Sequence, residues 1–198
     1  MRKIIGFTLL IALLGISWTG CSPKREVKRI DPDTQKDLSG RWNATDSRMV
    51  ADALTSQILG ARWLERYKNQ HDGKRPVLIV GLIRNKSHEH INSQTFIKDI
   101  ERAIINDGSA RLVQAGSKRD ALRSERADQQ DFASSQTAKE WGLELGADFM
   151  VQGNINSIVD SYRDEKVVYY QVNLELSNLQ TNEIVWIGDK KIKKYIEN

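Results

Sequence analysis

The run from Arg84 to His90 holds the first group of side chains that could do chemistry. It contains two cations, an amide, two imidazoles and a carboxylate, which belong to Arg84, Asn85, Lys86, His88, Glu89 and His90. Two histidines suggest a metal pair, but structural zinc sites use four ligands, and the sequence indicates no third. We therefore predict no metal site. The run follows an apolar strand-like segment, and α/β folds place binding groups at the C-terminal ends of buried strands. These residues are the predicted partner-binding surface.

Trp186 is a further candidate for partner contact. It stands between Val185 and Ile187 on the last predicted strand. Successive side chains of a strand point to opposite faces, so Trp186 is exposed if its two neighbours face inward. Trp42, Trp63 and Trp141 are expected to be core anchors.

The acidic residues offer no arrangement for catalysis. Glu125 and Asp128 lie three residues apart on a charged, predicted helix. A general acid–base pair needs surroundings that separate two pKa values, and nothing in that segment indicates burial. The chain also lacks a serine nucleophile elbow and a glycine-rich phosphate loop. We predict a non-enzymatic protein with no catalytic residue, no cofactor and no small-molecule substrate.

Cys21 carries the clearest covalent chemistry. It is the only cysteine in the chain and follows a basic start at Arg2 and Lys3 and an apolar run over residues 4–16. That run is shorter than the ~20 residues that span a bilayer, which is typical of a signal peptide. The segment Thr19-Gly20-Cys21 resembles the lipobox that lipoprotein signal peptidase cleaves, although Trp18 departs from its aliphatic pattern.

These features predict a signal peptide over residues 1–20 and a lipid attached to Cys21. Each buried methylene of such a lipid contributes ~0.8 kcal/mol to membrane binding. Ser22, by resemblance to sorted lipoproteins, favours the outer membrane over the inner one. Residues 21–36 are polar and proline-containing, and are predicted to be a lipidated flexible tether. Residues 37–198 are predicted to form a single globular domain.

Charge gives no indication of nucleic-acid binding. The net charge is +4, and acids and bases are interleaved, whereas nucleic-acid binding needs a clustered basic face. The run from Lys190 to Lys194 comes nearest to such a cluster. At the end of a strand it is typical of a solvated edge that discourages aggregation.

Hydrophobic periodicity predicts an α/β fold in which a mixed sheet of about four to five strands packs with helices. Predicted helices cover residues 45–68, 95–106, 117–130 and 136–145. Predicted strands cover residues 76–83, 110–114, 148–157, 167–177 and 184–192.

Five segments together resemble the penicillin-binding protein activator LpoB family. They are DLSGRWN (37–43), PVLIVGLIRNKSHEHI (76–91), TFIKDIERAIIN (95–106), ELGADFMVQGNINSIVD (144–160) and VYYQVNLELSNLQTNEIVWIGDKKIKK (168–194). The resemblance covers nearly the whole predicted domain. It implies a globular domain similar to the N-terminal domain of TolB.

The resemblance also implies a function. A family member is an outer-membrane lipoprotein that faces the periplasm, binds a bifunctional penicillin-binding protein and stimulates its peptidoglycan synthesis. The alternative is a structural or oligomeric outer-membrane lipoprotein related to secretion-channel subunits. A pore needs amphipathic hairpins of ~10-residue strands, and the lysine-rich final strands offer no obvious pair.

Overall fold

The computed structural model describes residues 26–32, 34–132, 134 and 144–197. Two compact units divide the chain, Met1–Thr34 and Gln35–Asn198, and the elements below belong to the second. Most of the helix predicted over residues 136–145 lies outside the described residues, and residues 144–147 have no regular structure. Within the described part of the chain, no helix combines the length and apolar character needed to cross a membrane.

The chain enters the fold through two short helices, α1 (Ala44–Leu59) and α2 (Arg62–Gln70). The single helix predicted over residues 45–68 is wrong, because α1 ends at Gly60. Ala61 takes an extended conformation (φ −82°, ψ 152°). The Trp63 indole N–H donates to the Ile58 carbonyl at 2.6 Å, so it occupies an acceptor that a continuous helix would have used itself.

The remaining elements form a sheet with helices between its first strands. In chain order they are β1 (Val77–Lys86), α3 (Ser93–Asp107), β2 (Arg111–Leu112), α4 (Gly116–Phe132), β3 (Phe149–Tyr162), β4 (Glu165–Asn178) and β5 (Ile184–Glu197). The spatial order is β2-β1-β3-β4-β5. β1 runs parallel to β2 and β3, while β3–β4 and β4–β5 are antiparallel. The predicted mixed α/β sheet of four to five strands is confirmed.

The last three strands are longer than their apolar patterns predicted. Each has 14 residues, and β3 and β4 remain paired as far as Tyr162 and Glu165. The tip of this hairpin is exposed, so no inward-facing apolar residue marks it in the sequence. Backbone hydrogen bonds continue the ladder there, and the Tyr195 hydroxyl donates to Glu165 at 2.8 Å.

The core lies between the sheet and helices α1 and α3. Its fully buried members include Leu54, Ile58, Phe96, Ile100, Ile104, Ile155, Tyr170, Val172 and Leu176. Side chains at the alternate positions point to the opposite side of the sheet. We call that side the open face. It carries Arg84, Lys86, Gln152, Asn154, Asn156, Gln171, Asn173, Glu175, Ile187, Asp189, Lys191 and Lys193.

Lys194 joins the last strand to the start of the domain. Its Nζ donates to Asp46 at 2.6 Å, to Asp37 at 3.0 Å and to the Arg41 carbonyl at 3.0 Å. Asp46 also closes the capping box of α1 with Asn43. Burial lowers the pKa of Lys194, but its hydrogen bonds to Asp46 and Asp37 outweigh burial and raise it above the ordinary value. The predicted solvated lysine edge is therefore wrong for Lys194, which faces the helices.

Substitution of Lys194 tests this anchor. Lys194→Met leaves the nearly buried Asp46 carboxylate without its cation, and we expect a loss of about 3–5 kcal/mol in the free energy of unfolding. Lys191→Met is the matched control, because Lys191 lies exposed on the open face of the same strand, where ~0.5 kcal/mol or less is expected. Urea denaturation at neutral pH measures both. Equal losses in the two variants would show that the anchor contributes nothing.

Candidate functional site

The loop that follows β1 is held closed by its own side chains. The Asn85 amide nitrogen donates to the Glu89 carbonyl at 2.7 Å. The backbone N–H and the hydroxyl of Ser87 both donate to Asn85 Oδ1, at 2.9 and 2.6 Å. Asn85 is half-buried, so it supports the loop from below. The predicted binding run is therefore a fixed turn.

Glu89 fastens this loop to two distant parts of the chain. One carboxylate oxygen accepts the Tyr170 hydroxyl at 2.7 Å, and the other accepts the Trp42 backbone N–H at 3.0 Å. Only 12% of the Glu89 side chain is exposed. Burial raises the pKa of Tyr170, and its hydrogen bond to Glu89 raises it further. Glu89 is thus a structural anchor and presents little carboxylate surface to a partner.

The two histidines differ in how firmly they are held. The His88 backbone N–H and ring Nδ1 both lie against the Ser157 hydroxyl, at 2.9 and 2.6 Å. Its Nε2 lies 3.3 Å from Glu89 Oε1, and its ring stacks toward Tyr170 with centroids 6.3 Å apart. His90 is exposed. In the described part of the chain, no group of three or more histidine, cysteine, aspartate or glutamate residues could hold a metal ion.

Arg84 and Lys86 supply the free positive charge of the site. Both are exposed on the open face of β1, where the register places them beside Asn154 and Asn156 of β3. Among the described residues, neither cation has an ion-pair partner. They border a shallow groove of about 310 Å³ that crosses the open face as far as Ile187.

The floor of that groove consists of polar side chains that form hydrogen bonds with one another. Gln152 donates to Glu175 at 2.7 Å, and Asn173 donates to Asn154 at 3.3 Å. These amides and the one carboxylate bond to each other across β3 and β4, so their positions are fixed. The two basic side chains are the groups left to meet a partner.

Trp186 does not join this surface. Its register partner is Leu176, a fully buried residue that faces the helices, and partners in an antiparallel pair share a face. Trp186 is half-buried against the core, whereas Ile187 is 69% exposed on the open face. Ile187 does not face inward, so the condition under which Trp186 would be exposed is not met.

Sequence reasoning missed the residues that hold the loop, namely Ser157, Tyr170 and Trp42. Ser157 and Tyr170 are register partners on β3 and β4, and Trp42 packs edge-on against Tyr170 with centroids 5.4 Å apart. Each lies more than 40 residues from Glu89 in the chain. The available signals were the alternation of apolar and polar residues along the strand predicted over residues 167–177, which points Tyr170 inward, and the expected core position of Trp42.

Comparison with known families now identifies the class of protein. The model of the family described as peptidoglycan-synthase activator LpoB matches residues 46–192. The match covers well over half of the chain and includes nearly all of α1, all of β1, the loop that follows β1 and most of β5. The chain belongs to the LpoB family of peptidoglycan-synthase activators.

Several solved structures are similar to the chain. The C-terminal domains of LpoB from Salmonella enterica and Escherichia coli are each 21% identical, cover 75% of this chain and 99% of the solved chain, and give TM-scores of 0.41 and 0.42. The solution structure of E. coli LpoB is 17% identical, covers 92% of this chain and 86% of the other, and gives 0.40. No curated protein sequence matches the chain significantly.

The hydrogen bond between Glu89 and Tyr170 can be measured with a double-mutant cycle. We expect Glu89→Gln and Tyr170→Phe to be coupled by about 1.5–3 kcal/mol, the range for hydrogen bonds to charged groups. Glu101→Gln, which alters the half-buried ion-pair partner of Lys98, is the control and should show no coupling to Tyr170→Phe. Denaturant titrations of the four proteins in the cycle provide the numbers. Additive losses would mean that Glu89 does not anchor the loop through Tyr170.

Proposed function

We propose that this protein is an outer-membrane lipoprotein that binds and activates a bifunctional penicillin-binding protein in the periplasm. The observation that carries the proposal is the family match over residues 46–192. Activation would act by differential binding, because a protein that prefers the active conformation of the synthase shifts its population toward that conformation. The protein itself then needs no catalytic group.

The proposed contact surface joins the end of β1 on the open face to the loop that follows it. It consists of Arg84 and Lys86 with the exposed edges of His88 and His90. Asn85 and Glu89 hold it in place and are assigned a positioning role. Two free cations beside a fixed turn suit an acidic patch on a partner, since complementary charge speeds association and selects the partner. Trp186 is left out because it is half-buried on the helix side of the sheet.

The proposed anchor is a lipid on Cys21, followed by residues 21–36 as the tether. About fifteen residues at full extension of ~3.3–3.6 Å each span about 50 Å. The partner synthase must therefore present its binding site within that distance of the outer membrane.

Glycan polymerisation by the host's own bifunctional penicillin-binding protein tests activation. Adding the purified protein should accelerate polymerisation, and Arg84→Glu/Lys86→Glu should remove most of the acceleration, because the charge change turns attraction into repulsion. Arg62→Glu/Lys74→Glu is the matched control, with the same change of charge at exposed residues outside the open face. The control should accelerate the enzyme as the unaltered protein does.

Two results would count against this account. No acceleration and no binding by the unaltered protein would remove the proposed activity. Acceleration that survives the reversal at Arg84 and Lys86 would remove the proposed surface but keep the activity.

The membrane anchor has a separate test. In cells, Cys21→Ser should remove the protein from the outer-membrane fraction, because it removes the atom that carries the lipid. Mass spectrometry of the unaltered protein should find an N-terminal peptide that begins at Cys21 with added acyl chains. An unmodified Cys21 peptide, or a variant that stays in the outer-membrane fraction, contradicts the anchor.

A further inference from the structure

The outer edge of β5 is a second candidate for protein contact, separate from the loop. We propose that residues 187–193 dock an extended protein segment in which acidic and apolar residues alternate. The segment would add a sixth strand to the sheet. This inference does not depend on the proposed activation of a synthase.

The edge is long, and no strand of the described residues lies beside it. β5 ends the sheet and pairs with β4 alone, and within the described part of the chain no other backbone bonds to it. The segment before α1 meets β5 only near its end, where Lys194 bonds the Arg41 carbonyl and Ile196 packs against Gly40. Along residues 187–193, every second residue therefore offers an unpaired N–H and C=O to an added strand.

Side chains on the two faces of this edge define the chemistry of the incoming segment. On the open face, Lys191 and Lys193 are exposed beside one carboxylate, Asp189, which lies 3.4 Å from Lys191. On the helix face, Trp186 and Ile192 are half-buried against the core on either side of Lys190, so a neighbouring apolar side chain would finish covering them. Since side chains of an added strand also alternate, the segment needs acids on one face and apolar residues on the other. Strand addition with such alternating specificity is an established mode of peptide recognition.

A second copy of this chain fits the edge poorly. Two β5 edges paired with each other would bring lysine-rich strands together, and like charges opposite each other in a sheet are destabilising. Lysines on an edge strand act against such self-pairing. An acidic segment has the opposite effect, because it neutralises Lys191 and Lys193 while it pairs with the backbone.

Binding of a synthetic peptide tests the docking site. Acetyl-Val-Glu-Val-Glu-Val-Glu-Val-Glu-amide with a fluorescent label should bind the purified protein, with binding followed by anisotropy. The peptide with lysine in place of glutamate should not bind. N-methylation of one alternate set of residues should abolish binding, while N-methylation of the other set should not, because only one set points its N–H groups at β5.

Protein variants locate the site. Lys191→Glu/Lys193→Glu should weaken binding of the peptide about tenfold or more, and Arg62→Glu/Lys74→Glu should leave it unchanged. Amide hydrogen exchange should slow in β5 when peptide is added. The proposal is overturned by no binding at millimolar peptide, by binding that tolerates both N-methylated sets, or by the same affinity in the β5 variant. Protein that dimerises through β5, or that binds anionic phospholipid vesicles and not the peptide, also overturns it.

Discussion

The Glu89 carboxylate is the contact on which the arrangement of the candidate site depends. It is nearly buried, and a buried charge is tolerable only when it is well hydrogen-bonded. Tyr170 and the Trp42 backbone provide those bonds. Each hydrogen bond to a charged group contributes about 1.5–3 kcal/mol, which is a large share of the 5–15 kcal/mol by which a domain is stable. The loop after β1, the middle of β4 and the entry segment are thereby held together.

The loop keeps its anchoring groups apart from its binding groups. Asn85 and Glu89 point into the protein, whereas Arg84 and Lys86 point to the open face. A fixed turn loses little conformational entropy when it binds, so a pair of otherwise weak surface cations can contribute to affinity. Lys194 has a similar anchoring role at the other edge of the sheet, where it joins β5 to the segment before α1.

Some helices and strands of the fold could be predicted from the sequence more fully than others. The helix predicted over residues 95–106 matches α3 closely, since its apolar period and the glycine that ends it are both local signals. The helix predicted over residues 45–68 splits because of the Trp63 indole, a contact that periodicity does not encode. β3 and β4 extend beyond their apolar stretches because backbone pairing continues without a buried face. The orientation of Trp186 depends on the register of β5 against β4, which the sequence of one strand cannot fix.

The residues of the candidate site also differ in how far the sequence alone predicts their roles. Its exposed cations and histidines were recognisable as a polar run after a buried strand. The anchoring role of Glu89 was not recognisable, because its hydrogen-bond partners Trp42 and Tyr170 are 47 and 81 residues away in the chain. A carboxylate between two histidines in the sequence suggests a chemically active group. The long-range hydrogen bonds of Glu89 give it a structural role instead, because they hold the loop in place.

The most direct test of the account is amide hydrogen exchange of the protein with and without the host's bifunctional penicillin-binding protein. Binding through Arg84 and Lys86 should slow exchange over residues 84–90 and along the adjoining open face. Helices α1 and α3, which cover the opposite side of the sheet, should exchange as in the free protein. Protection confined to those helices, with residues 84–90 unchanged, would contradict the assignment of the loop as the partner-binding surface.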